Sequence, residues 1–181
     1  MTARQSKKQI STKQISTKVD QKLVAILLQQ RIEPVLSLPC NMLAGILQEI
    51  GHHPLQHIRV CREEEGVGIA AGAALAGKRP LLLMQNSGLG NSINALMSLT
   101  SFYKLPLFIL MSHRGGRGEK IAAQMPMGKD APRLLETLGI PYLTISSSQD
   151  IPKLGLFIGE TFRKNEIHAA FLARELWNET K

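Results

Sequence analysis

The feature that most constrains this chain is a regular exchange between short, continuous apolar runs and longer segments with helical spacing. Strand-like runs, mostly apolar, occur at residues 35–38, 57–60, 81–85, 106–111, 142–145 and 168–174. A strand without alternating polar positions is covered on both faces, so each run predicts a buried strand. Between them, apolar residues recur at helical spacing over 19–31, 41–50, 64–76, 91–103, 131–138 and 150–164. Pro34 and Pro39 bound the first strand, Gly51 and Gly139 follow two of the helices, and Asp150 is placed to cap another. Residues 112–128 are expected to form a long polar loop. Strands alternating with helices imply a parallel sheet between two helical layers, a three-layer α/β/α domain. Ligands of such domains collect beyond the carboxyl ends of the strands, which directs attention to the loops after Leu38, Val60, Gln85 and Met111.

Charge separates the domain from its amino-terminal segment. The chain of 181 residues carries a formal net charge of +8, and residues 1–19 hold Arg4, Lys7, Lys8, Lys13 and Lys18 without an acid. The remaining residues are nearly balanced. Residues 1–19, with their short Lys-Gln-Ile-Ser-Thr repeat, are therefore expected to be a disordered basic tail, and residues 20–181 the folded domain. A tail that binds nucleic acid is the alternative, with an affinity that falls steeply with salt. No apolar run follows the basic start, and none approaches the ~18 residues of a membrane span, so the expected location is the cytoplasm. Cys40 and Cys61 suit a reducing compartment as unpaired thiols. Cys40, His52, His53, His57 and Cys61 fall close together in sequence but lack the ligand spacing of a zinc site.

Three loops carry unusual chemistry. After the strand ending at Val60 comes Arg62-Glu63-Glu64-Glu65-Gly66, then a helix of very small residues containing Gly66, Gly68 and Gly72. Glycine costs up to ~1 kcal/mol at an interior helix position, so close approach by another backbone is expected, from this chain or from a partner. Acids at a helix start are favoured by the macrodipole alone; alternatively one of them sits at the strand end, where partial desolvation suits it to proton transfer. The second loop, Gln85-Asn86-Ser87-Gly88-Leu89-Gly90-Asn91, offers glycines and amides. It lacks the third glycine of a dinucleotide fingerprint, and neither a P-loop nor a hydrolase elbow is present. The third, Ser112-His113-Arg114-Gly115-Gly116-Arg117-Gly118, combines a histidine with two arginines and suits an anion.

These segments together resemble the sulfopyruvate decarboxylase alpha-subunit family, itself similar to the pyrimidine-binding domain of phosphonopyruvate decarboxylase. The resemblance covers nearly all of residues 20–181. It implies a thiamine-diphosphate-binding (pyrimidine domain) fold. It also implies that Glu63, nine residues before Gly72, meets N1′ of the thiamine diphosphate aminopyrimidine and promotes the imino form that generates the attacking ylide. Glu64 is the fallback. By the same resemblance Gln85, Asn86 and Gly88 lie at the cofactor, and His113 and Arg114 are candidates for the acid group of the substrate. Family members hold the diphosphate through Mg²⁺ with a Gly-Asp-Gly motif, which this sequence lacks. The resemblance thus implies a separate pyrophosphate-binding beta subunit that carries the motif and the Mg²⁺, in an α2β2 or larger assembly. The implied reaction converts sulfopyruvate to sulfoacetaldehyde and CO2. Alternatives are a phosphonopyruvate decarboxylase-type subunit, or a non-catalytic regulatory or binding module in which Glu63→Gln leaves function intact.

Overall fold

The computed structural model describes residues 16–178. The elements are α1 (Lys18–Gln29), β1 (Val35–Ser37), α2 (Ala44–Ile50), β2 (His57–Arg59), α3 (Glu63–Leu75), β3 (Leu81–Gln85), α4 (Gly88–Ala95), β4 (Leu107–Ser112), α5 (Met125–Thr137), β5 (Tyr142–Ile145), α6 (Ile151–Lys164) and β6 (Ile167–Leu172). The strands form one sheet in the order β2-β1-β3-β4-β6-β5, every neighbouring pair parallel. The sequence-based expectation of a three-layer α/β/α domain holds.

Alternation of side chains along each strand divides the core in two. Val35, Leu81, Leu83, Phe108, Leu110, Ala170 and Leu172 point to one face, where they meet Leu23, Val24 and Leu27 of α1, Ile46 and Ile50 of α2, and Leu154 and Ile158 of α6. Leu36, Leu82, Met84, Ile109, Met111, Ala169 and Phe171 point to the other, against Val67 and Ala70 of α3, Leu89 of α4, and Ala131 and Leu135 of α5. Burial on both faces explains why these strands read as continuous apolar runs. Each fully buried Leu, Ile or Phe contributes roughly 1.5–3 kcal/mol.

Three local outcomes differ from the sequence reading. The fold begins before residue 20: Thr17 and Asp20 form a capping box on α1, Val19 is buried, and Asp20 Oδ1 also accepts from Trp177 Nε1 at 2.9 Å. Residues 1–15, which carry most of the expected tail, lie outside the described residues. Helix α4 starts at Gly88 instead of Asn91 and continues as a wider π-type turn, Leu96–Ser101. Helix α5 starts at Met125, six residues earlier than expected, after a 3-10 turn at Ala122–Gln124. Pro126 is tolerated there because the first turn's N–H groups have no helical partner anyway. Pro132 lies inside α5 and offers no N–H to the carbonyl of Gly128, four residues back. His113 Nε2 supplies the missing donor to Gly128 O at 2.9 Å.

Candidate functional site

The chain order reverses direction between β1 and β3: β1 is followed by β2 on one side, β3 by β4 on the other. Crevices beyond the carboxyl ends of strands at such a reversal are where open α/β sheets bind ligands. Cys40, just after β1, places Sγ 3.7 Å from Gln85 Oε1 at the end of β3 and 3.3 Å from Ser112 Oγ at the end of β4. Three central strand ends thus converge on one polar cluster.

The run of three acids at the start of α3 is resolved by geometry into three separate roles. Glu65 turns back to accept the Cys61 backbone N–H at 2.8 Å. Glu64 pairs with Arg62, and its own backbone N–H together with Arg62 holds its carboxyl below the usual carboxylate range. Only Glu63 reaches across to the next element: its Oε2 accepts from Asn91 Nδ2 at 3.0 Å, and its side chain lies directly over Gly88. A Cβ at Gly88 would come within 2.5 Å of Glu63 Cγ and 2.6 Å of Oε1, so the glycine creates the space that the glutamate fills. Glu63 is half-buried.

Gln85 is anchored through Nε2, which donates to Ser87 Oγ at 2.6 Å and to Gln124 Oε1 at 2.9 Å. The expectation that Asn86 touches a cofactor meets a physical obstacle. Its side chain is fully buried, with Nδ2 donating to Arg114 O and Met127 O and Oδ1 accepting from Arg114 N. It ties the β3 loop to the β4 loop.

Arg114, expected at the acid group of the substrate, is held by an internal ion pair. It is buried, and its Nε and a terminal nitrogen donate to Glu119 at 2.6 and 3.1 Å. Glu119 further accepts from Arg174 at 3.3 Å and from the backbone N–H groups of Gly115, Lys120 and Ile121. Arg114 foremost, reinforced by those N–H groups, holds the Glu119 carboxyl far below its usual range. The loop after β4 is thus folded around a buried ion pair. His113 has its ring packed 4.8 Å from that of Phe171, and because Gly128 O can only accept, Nε2 carries the proton and Nδ1 is left on the Gly116 side.

Sequence reasoning did not single out Glu119, Asn91, Cys40 or Ser112 for this site. The Arg-x4-Glu spacing from Arg114 to Glu119, within a glycine-rich loop, is the one sequence signal that could have revealed such a clamp. Among the described residues no group of His, Cys, Asp and Glu is arranged to hold a metal, both cysteines are free, and no helix is long and apolar enough to cross a membrane.

Residues 17–131 match the family described as thiamine pyrophosphate enzyme, N-terminal TPP binding domain. The chain is 48% identical over 129 residues to the sulfopyruvate decarboxylase subunit alpha of Methanococcus maripaludis, covering 71% of this chain and 77% of that one. It is 41% identical over 148 residues to the corresponding subunit of Methanothermobacter thermautotrophicus, covering 81% and 90%. Against the phosphonopyruvate decarboxylase of Streptomyces viridochromogenes the identity is 31% over 153 residues, 83% of this chain but 35% of the relative. Among solved structures, a split-gene transketolase, described as an inactive beta4 tetramer, superposes with a TM-score of 0.62 at 14% identity, over 87% of this chain and 50% of that chain. That last likeness concerns the fold alone.

Proposed function

Because the chain belongs to the sulfopyruvate decarboxylase alpha-subunit family of thiamine pyrophosphate enzymes, we propose that it is the cofactor-activating subunit of a split 2-oxo acid decarboxylase, acting on sulfopyruvate to give sulfoacetaldehyde and CO2. The observation that carries this reading is the placement of Glu63. Of three adjacent acids, it alone is held over the β3 loop, with one oxygen bonded by Asn91 and the other lying against Gly88. A carboxyl in that setting fits the ring nitrogen N1′ of an aminopyrimidine, and the role of Glu63 is to exchange a proton at that atom. Thiamine diphosphate, when bound, supplies the electron sink for breaking the carbon–carbon bond. Gln85 borders the same crevice, its amide oriented by Ser87 and Gln124. Gly88 and Asn91 position Glu63, and Asn86 and Glu119 position the loop that carries His113.

The surface of α3 supports a partner. Gly66 packs inward on Leu82, but Gly68 and Gly72 face open space, and Leu75 on the same helix is 74% exposed. The adjoining turn after α4 leaves Phe102 73% exposed. Glycines that no internal packing requires, beside exposed apolar side chains, fit close approach by a second subunit. We assign to that subunit the Gly-Asp-Gly motif, Mg²⁺ and the diphosphate. Co-expression with a subunit bearing that motif should yield CO2 release from sulfopyruvate, while either chain alone yields none. Turnover by this chain alone, or none from the pair, would overturn the reading.

A further inference from the structure

We propose that the hollow between the ends of β4, β5 and β6 binds the anionic head of the small acid substrate, a sulfonate or phosphonate; this rests on the decarboxylase reading above and adds the place and the residues. The hollow has a volume of about 480 Å³ and is lined by His113, Arg117, Thr144, Ser146, Arg174 and Glu175, within the size range of small-molecule sites.

Its electrostatics favour an anion. Glu119 is a single carboxylate shared by two guanidiniums, those of Arg114 and Arg174. Arg117, in the same hollow, pairs with no acid and makes no side-chain hydrogen bond among the described residues. Against three arginines stand two acids, Glu119 and Glu175, so the wall keeps a surplus positive charge. Asp150, which accepts from Ser146 at 3.4 Å, is already paired with Lys153. A guanidinium fork matches two oxygens of a sulfonate or phosphonate, and Thr144 adds a hydroxyl.

Position links the hollow to the crevice. Ser112 pairs in register with Gln85 on one side and with Leu172 on the other. The hollow therefore begins at the β4 end next to Gln85 and is centred on β6, two strands or roughly 10 Å from the Gln85 strand end. Arg117, between Gly116 and Gly118, is the cation free to meet the ligand.

The test uses the isolated full chain with ring-labelled histidine, the His113 signal assigned from a His113→Asn variant. 3-Sulfopropanoate and 3-phosphonopropanoate, unreactive for lack of a keto group, should each shift that signal in a saturable titration. Propanoate, which lacks the acid head, should leave it in place at the same concentrations. Arg117→Gln, at an exposed position where the fold is not at risk, should weaken binding about tenfold or more, and Lys78→Gln on another surface should not. An equal response to propanoate, or unaltered binding in Arg117→Gln, would overturn the proposal. Because no cofactor, partner or turnover is involved, failure here is distinct from failure of the pair to release CO2.

Discussion

Replacing Glu119 by Gln should be the most destabilising polar substitution in the loop that follows β4. The carboxylate is 2% exposed and is met only by donors: Arg114 twice, Arg174, and the N–H groups of Gly115, Lys120 and Ile121, at 2.6–3.3 Å. Gln retains the shape but turns one acceptor into a donor that faces other donors, and it leaves the Arg114 guanidinium without its counter-charge. Removing one partner of a buried pair costs about 3–5 kcal/mol. In a domain of this size each kcal/mol lowers Tm by about 2–4 °C, so a fall of roughly 6–20 °C is expected at pH 7. The pH dependence follows from the direction of the shift. Arg114 and the surrounding N–H groups lower the folded-state pKa of Glu119. The stabilisation is therefore complete above the unfolded value of about 4.3 and is lost as pH falls below it towards the folded value. Thermal unfolding followed by circular dichroism should show a gap between wild type and Glu119→Gln that is constant from pH 6 to 8 and narrows below about pH 4. A change in Tm under about 2 °C at pH 7, or a gap unchanged at pH 3, would refute the assignment of Glu119 as the clamp.

Gly88→Ala should leave Tm within a few degrees, since alanine favours the helix, yet displace Glu63 and reduce CO2 release by the assembled enzyme at least about tenfold; unaltered turnover would count against the packing of Glu63 on Gly88. Gly128→Ala brings a Cβ within 2.3 Å of the Gly115 backbone, and should cost about 1–3 kcal/mol in chemical denaturation while shifting the His113 ring signal. The double substitution Leu75→Ser and Phe102→Ser should preserve the Tm of the isolated chain but weaken its association with the partner by sedimentation or calorimetry, and full-strength association would remove α3 and its neighbour from the interface.

The fold was legible because the central strands β1, β3, β4 and β6, buried on both faces, are written as nearly unbroken apolar runs, whereas β2 and β5 at the sheet edges are only partly buried. The boundaries of α4 and α5 were not legible, because proximity replaced propensity there. Gly88 and Gly90 read as loop residues but enter the first turn of α4, where Glu63 lies over Gly88. Pro132 reads as a helix breaker, but the carbonyl it orphans belongs to Gly128 and is satisfied by His113, distant in sequence. The same holds at the site. Glu63 could be singled out by its spacing from Gly72 and by family resemblance, whereas its hydrogen bond to Asn91 joins two helices and has no local signature. Asn86 and Arg114 have the chemistry of ligand-binding residues, and their buried partners, Met127 O and Glu119, show that both also hold the loops together.

The most direct test of the central claim is CO2 release from sulfopyruvate by this chain assembled with its partner, comparing wild type with Glu63→Gln and Glu64→Gln. Proton transfer by a positioned carboxyl contributes typically 10²–10⁴-fold. Glu63→Gln should therefore lose at least about a hundredfold in kcat with the assembly intact, and Glu64→Gln should stay within a few-fold of wild type. Undiminished turnover by Glu63→Gln, or a larger loss from Glu64→Gln, would contradict the account.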